Sequence, residues 1–164
     1  MKKIITISFI LSSFYFIQKT HSQESTATRE ECLEFIKENT IYFNLMKHES
    51  SEYYQTKIEE NKLITITPTS SFETNLNKIS NVGNIEFGYD IGHWNDDKFE
   101  FNYVTIYTFG DSVLQTDFDS NQQFFFSTTN LYFPKKNLSE VYRLIKAFKR
   151  LTYWNRQERK KSKF

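Results

Sequence analysis

Three aspartates, an asparagine and a histidine lie together in the stretch GYDIGHWNDDKF, residues 88–99. An imidazole has an ordinary pKa of about 6.5, so it can exchange a proton near neutral pH while a neighbouring carboxylate orients it. Asp90, His93 and Asp96 are therefore candidates for a general base with its orienting acid, or for the ligands of a metal ion. Such a site would make the protein a hydrolase-like or metal-dependent enzyme.

The spacing of these residues favours a polar turn over a reactive site. The stretch does not match the calcium loop D-x-[DN]-x-[DN]-G, and it contains neither an H-x-x-x-H pair nor a cysteine-histidine zinc pattern. Asparagine and aspartate are common in turns because their side chains bond the nearby backbone. We predict a solvated hairpin loop without metal or cofactor. The alternative site at Asp90, His93 and Asp96 would need further ligands, such as His48 and Glu49.

Other catalytic patterns are absent from the sequence. It has no G-x-S-x-G, H-E-x-x-H, P-loop or G-x-G-x-x-G motif, and it contains four glycines and one cysteine. A single cysteine cannot form an intramolecular disulfide. We expect Cys32 to pack as a small apolar residue of a helix, with a thiol nucleophile paired to His48 or His93 as the alternative. The prediction is a protein that is not an enzyme.

The first 22 residues have the pattern of a signal peptide. Lys2 and Lys3 precede an uncharged apolar run, residues 4–17, and Thr20 and Ser22 place small residues where a signal peptidase cleaves. The run is shorter than the roughly 20 residues that a membrane-spanning helix needs. We therefore expect cleavage after Ser22, no transmembrane span in the mature chain, and an exported protein that is periplasmic or secreted.

The charge of the mature chain gives no support for nucleic-acid binding. Removal of the leader takes three lysines from the 21 basic residues, which leaves 18 against 20 acidic ones and a formal charge of −2. Proteins that bind nucleic acid need a basic stripe or patch to displace counterions from the phosphates. The one strongly basic stretch is residues 156–164, RQERKKSKF, which we predict to be a disordered tail. Its cations Arg156, Arg159, Lys160 and Lys161 could contact an anionic lipid or polysaccharide surface.

The sequence predicts a helix at each end of the mature chain. Thr28 and Glu31 match a capping box at the start of the helical pattern TREECLEFIKENT. Asn137 and Glu140 have the spacing to cap a C-terminal amphipathic helix. The apolar stripe of that second helix has the spacing of one helical face and consists of Val141, Leu144, Ile145, Phe148 and Leu151.

Alternating apolar residues predict strands between the two helices. They cover residues 53–58, 63–67, 85–91, 99–109, 113–118 and 124–133, and short turns join the last three strands into an antiparallel meander. We therefore predict one α+β domain, residues 23–155, in which both helices cover a curled sheet of roughly six or seven antiparallel strands.

The 17 phenylalanines and 10 tyrosines have two interpretations. The first is a core of large residues, and the second is an exposed aromatic strip that binds a protein, a glycan or an apolar ligand. Together with the leader, these features predict a non-enzymatic binding module of the cell envelope. Its partner would be an envelope protein or a glycan.

Three segments resemble small, uncharacterised exported proteins common in Bacteroidota: the leader end THSQ, the helix TREECLEFIKENT and the closing helix NLSEVYRLIKAFKRL. This resemblance implies export and gives no activity to carry over. The order of strands followed by one C-terminal amphipathic helix is also similar to a pleckstrin-homology-like barrel. That likeness implies a curled sheet closed by a helix, although the loops carry no dense basic cluster for a phosphorylated head group.

Overall fold

The computed structural model describes residues 27–46, 53–91 and 98–162. These residues form an α+β fold with a helix at each end and antiparallel strands between, so the predicted fold class is confirmed. The described part contains nine strands, one of them only two residues long, which is more than the six or seven predicted.

The helices are α1, Arg29–Asn39, and α2, Leu138–Lys161. The strands, in chain order, are β1 Leu45–Met46, β2 Tyr53–Glu59, β3 Lys62–Ile66, β4 Ser70–Asn75, β5 Ile79–Ile91, β6 Lys98–Thr108, β7 Val113–Asp117, β8 Gln123–Phe126 and β9 Thr128–Phe133.

The strands form two antiparallel sheets. One sheet has six strands in the order β1-β2-β3-β4-β7-β8, and the other has three in the order β5-β6-β9. The predicted meander is confirmed for the pairing of β7 with β8 and wrong for the strand before them, since β6 pairs with β5 and β9 and the second neighbour of β7 is β4. The chain changes sheet at a break at Ser127, whose carbonyl oxygen accepts from the Thr108 amide. The break divides the predicted strand 124–133 between the two sheets.

Two further differences concern strands that lack a clean alternation. Strand β4, SSFETN, was not predicted because serine and threonine replace apolar residues at its buried positions. Strand β5 begins at Ile79 rather than Ile85, because two register shifts against β6 interrupt the period of two. The β2–β3 turn is also tighter than predicted, since Glu59 pairs with Lys62 and leaves two residues between the strands.

The core lies between α2 and the three-stranded sheet. The predicted apolar stripe of α2 is buried along its whole length. The rings of Phe43, Phe133 and Phe148 are fully buried in it, and the Phe43 ring centroid lies 5.9 Å from that of Phe133 and 6.3 Å from that of Phe148. Edge-to-face and tilted contacts of this kind add to the energy of burial itself.

The two helix starts differ. Both hydrogen bonds of the predicted capping box between Thr28 and Glu31 are present. Asn137 does occupy the N-cap position of α2, but its side chain makes no capping hydrogen bond. It ends a short 3-10 turn with φ −106° and ψ 24°, and this is not the extended conformation from which a side chain caps a helix.

The predicted disordered tail is wrong for residues 156–161, which form the last turns of α2. The Arg156 guanidinium donates to the Ser80 carbonyl oxygen at 3.1 and 2.7 Å. The Arg159 guanidinium lies 4.2 Å from the centroid of the Phe109 ring. Contacts to β5 and to the end of β6 therefore hold the basic stretch in a helix, where composition alone predicted disorder.

Candidate functional site

The predicted polar site is largely outside the described residues. His93 and Asp96 belong to residues 92–97, which the structure does not describe, and of Asp90 only the backbone is described. That backbone pairs with Phe99 of β6 near the end of β5. Within the described ranges, no three histidine, cysteine, aspartate or glutamate side chains are grouped closely enough to hold a metal ion. The turn and the alternative site at Asp90, His93 and Asp96 both stay predictions.

The four predicted surface cations lie together on the last turns of α2. Arg156 and Arg159 are exposed, but they already contact Ser80 and Phe109 of the same chain. Lys160 and Lys161 are exposed at the end of the helix. Contact of these residues with an anionic surface stays a prediction.

Cys32 is buried on α1, as predicted from its helical surroundings. Burial raises the pKa of its thiol above the ordinary value, and the nearby Arg150 only partly opposes this shift. A thiol with a raised pKa has little of the nucleophilic thiolate form near neutral pH. The environment of Cys32 thus favours packing over reactivity.

We expect native Cys32 to resist alkylation. Iodoacetamide near neutral pH should leave the folded protein unmodified by intact mass, because the thiol is both shielded and protonated. The same reagent should add one carbamidomethyl group once guanidinium chloride has unfolded the chain. Alkylation of the folded protein at the rate of the unfolded one would show that Cys32 is accessible and reactive.

A first group of aromatic side chains packs on the face of the three-stranded sheet away from α2. The Tyr132 ring centroid lies 4.6 Å from that of Tyr54 and 5.4 Å from that of Phe101. Gly88 faces Phe101 across the β5–β6 pair, and a Cβ atom at Gly88 would lie only 2.5 Å from the Phe101 ring. This glycine of the polar-turn motif therefore lies within a strand and leaves room for an aromatic ring.

A second group of aromatic side chains lies on β8 and is open to solvent. Phe124, Phe125 and Phe126 are 45%, 66% and 43% exposed. Among the described strands, β8 pairs only with β7 and is the last strand of its sheet. The surrounding stretch, residues 120–133, contains no charged side chain. Strand β8 is thus an uncharged, aromatic sheet edge.

A surface pocket of about 200 Å³ lies where β9 meets the six-stranded sheet. It combines aromatic rings with amide and hydroxyl groups and has no carboxylate, ammonium, guanidinium, imidazole or thiol group in its lining. The lining residues are Phe72, Gln115, Phe126, Thr128, Thr129, Asn130 and Tyr132.

The amide side chains of the pocket are held by neighbouring groups. Gln115 Nε2 donates to Ser70 Oγ at 2.9 Å, and Asn130 Oδ1 accepts from Thr105 Oγ1 at 2.9 Å. A side-chain amide has two N–H donors and a carbonyl oxygen with two lone pairs, so each keeps further hydrogen-bonding capacity. Burial also raises the pKa of the Tyr132 phenol, so this residue is neutral at physiological pH.

Three threonine hydroxyls in this region are buried without a hydrogen-bond partner in the structure: those of Thr56, Thr65 and Thr129. Thr129 lines the pocket and is 6% exposed. Thr56 pairs in register with Thr65, which in turn pairs with the pocket residue Phe72. Buried hydroxyls are normally paired, so three without a partner are unusual.

Sequence reasoning did not find the pocket or the β8 edge as separate sites. The run QQFFFSTTN resembles part of a single strand. The one feature in it that indicates an open binding edge is the absence of charged residues. The pocket residues come from four strands, and their order along the chain does not show which of these strands lie side by side.

No helix in the described ranges has the length and apolar character needed to cross a membrane. Neither a known protein family, nor a curated protein, nor a solved structure matches the chain.

Proposed function

We propose that the protein is exported and acts as a non-enzymatic binding module of the cell envelope, which pairs the free edge of β8 with an extended segment of a partner protein. The observation that carries the proposal is the exposed phenylalanine triplet on an uncharged sheet edge that pairs with no further strand among the described residues. The lining of the neighbouring pocket has no carboxylate, ammonium, guanidinium, imidazole or thiol group, which favours binding over catalysis.

Edge strands expose backbone N–H and C=O groups that can pair with another chain. Natural proteins usually protect such edges with charged side chains or proline. Residues 120–133 contain neither, although Lys135 and Lys136 follow shortly after. An extended peptide that adds to an edge gains backbone hydrogen bonds, and its alternate side chains pack against those of the edge. Three large apolar rings on β8 favour a partner segment that is itself apolar and uncharged.

The size of the edge favours a peptide segment over a second copy of this chain. Given the roughly 200 Å² that an aromatic side chain can bury, the three partly exposed rings offer roughly 300 Å². A stable protein dimer buries about 800 Å² on each partner. A β8-to-β8 contact would gain the same main-chain hydrogen bonds as an added peptide, but it is too small to hold two folded chains together, whereas a short extended peptide needs no more than the edge itself.

The test places a photo-crosslinking phenylalanine at position 125 in the full-length protein in its native cells. We expect a covalent adduct with another protein, mapped by mass spectrometry to a short extended segment. The intact mass of the recovered chain should begin at Gln23, in agreement with removal of the leader. A synthetic peptide of the mapped segment should then slow hydrogen exchange of the β8 amides.

A matched pair of variants provides the control. Phe125→Asp should weaken binding of that peptide at least tenfold, because it removes apolar contact and places a charge on the edge. Tyr142→Asp makes a comparable change at an aromatic residue of α2 that is 56% exposed and should leave affinity unchanged. An adduct between two copies of the chain, the absence of an adduct, or equal effects of the two variants would each overturn the proposal.

A further inference from the structure

We propose that the pocket between β9 and the six-stranded sheet binds a neutral sugar ring, that is, one pyranose unit of a glycan. The pocket shares Phe126 with the β8 edge, but its other lining residues lie on other strands, so the inference does not depend on the peptide edge. The pocket brings aromatic rings and fixed amides together at one place, and both narrow the class of ligand.

The lining excludes a charged ligand. None of the seven lining side chains carries a formal charge at neutral pH. A carboxylate or phosphate that entered the pocket would lose its hydration without gaining an ionic partner, which is costly. The ligand is therefore neutral.

The amide and hydroxyl groups of the lining favour a ligand that both donates and accepts hydrogen bonds. The side chains of Gln115 and Asn130 are positioned by Ser70 and Thr105, so little freedom is lost when a ligand binds them. Thr128, on the same face of β9 as Asn130, adds a partly exposed hydroxyl to the lining. Sugar hydroxyls serve as donor and acceptor at once, so they can pair with amide N–H, amide C=O and threonine hydroxyl groups alike.

The aromatic walls and the size suit a single ring. Phe72, Phe126 and Tyr132 supply flat apolar surfaces, whose electron-rich faces attract the weakly positive C–H groups of a sugar ring. The volume of about 200 Å³ is below the roughly 300 Å³ at which pockets for drug-sized molecules begin. One pyranose unit fits this size class, and the rest of a glycan would extend into solvent.

The experiment titrates the purified full chain with glucose, galactose, mannose and N-acetylglucosamine, each followed by two-dimensional NMR. At least one sugar should shift the side-chain amide signals of Gln115 and Asn130 and the backbone signals of residues 128–130. The uronic acid of the same sugar should bind at least tenfold more weakly, because its carboxylate lacks a partner in the pocket.

Thr128→Val separates a ligand contact from a structural role. Valine keeps the shape of threonine at this partly exposed position, so the melting temperature should change little. Sugar affinity should nevertheless fall about three- to tenfold, as expected for one lost hydrogen bond. Gln115→Ala should weaken binding about tenfold, whereas Gln123→Ala, the same change at an exposed residue outside the lining, should have no effect.

Several outcomes would overturn the sugar site. These are the absence of any shift with all four sugars, shifts confined to other parts of the chain, or unchanged affinity in both Thr128→Val and Gln115→Ala. The Phe125→Asp variant should still bind the sugar, which keeps the fate of this proposal separate from that of the peptide edge.

Discussion

Phe148→Ala should lower the free energy of unfolding by about 3–5 kcal/mol. The Phe148 ring is fully buried on α2 and packs against Phe43, which in turn contacts Phe133 of β9. The truncation removes apolar contact and leaves a cavity at the junction of helix and sheet, where rigid strands limit collapse. Since domains of this kind have only about 5–15 kcal/mol of stability, the loss would be a large fraction of the whole.

Urea unfolding followed by circular dichroism measures this loss, with Tyr142→Ala as the control. Tyr142 lies on the same helix and is 56% exposed, so its truncation should change stability by less than about 0.5 kcal/mol. If the two variants lost the same stability, α2 would not be packed on the sheet through the face described above.

Asn155→Leu should lower the free energy of unfolding by about 1–3 kcal/mol, because it removes two hydrogen bonds while it also removes the buried Asn155 Oδ1, which has no partner in the structure. Asn155 is 1% exposed, and its Nδ2 donates to the carbonyl oxygens of Leu76 and Ile79 at 2.8 and 2.9 Å. Leucine has a similar volume but no donor, so the change removes both hydrogen bonds without a large void. Because these bonds join the end of α2 to the start of β5, amide exchange near Ile79 should also accelerate.

Chemical denaturation and hydrogen exchange test this second effect. Gln157→Leu replaces a half-exposed amide two residues further along α2 and should change stability by less than about 0.5 kcal/mol. Equal losses in the two variants, or unchanged exchange near Ile79 in Asn155→Leu, would contradict an anchoring role for the Asn155 side chain.

Asn155 also shows where periodicity stops being informative. It continues the buried stripe of α2 after Leu151, but a polar residue looks like the end of an apolar face. Sequence reasoning placed the end of the domain at residue 155 and disorder beyond it. The structure extends the helix to Lys161. Asn155 and Arg156 donate hydrogen bonds to carbonyl oxygens of β5, and the Arg159 guanidinium lies against the Phe109 ring.

The functional surfaces were less predictable than the fold. The aromatic strip was one of two interpretations of the composition, and the structure divides the rings between a buried core and exposed groups. The pocket was not predicted, because its seven residues lie on four strands that only the sheet pairing brings side by side. For the polar motif of residues 88–99, the sequence indicated a turn between strands, and the pairing of Asp90 with Phe99 supports the strands on either side.

The sequence by itself determined the elements whose signals are local. The capping box of α1, the apolar stripe of α2 and the α+β class follow from residue spacing within short windows. Within such a window, the period of the apolar residues indicates the type of element and its buried face. Only the tertiary structure decided which strands pair, since β7 could meet either β6 or β4 and the hydrophobic pattern is the same for both. Long-range pairing depends on how all apolar faces are buried at once, and this choice created the free β8 edge and the pocket beside it.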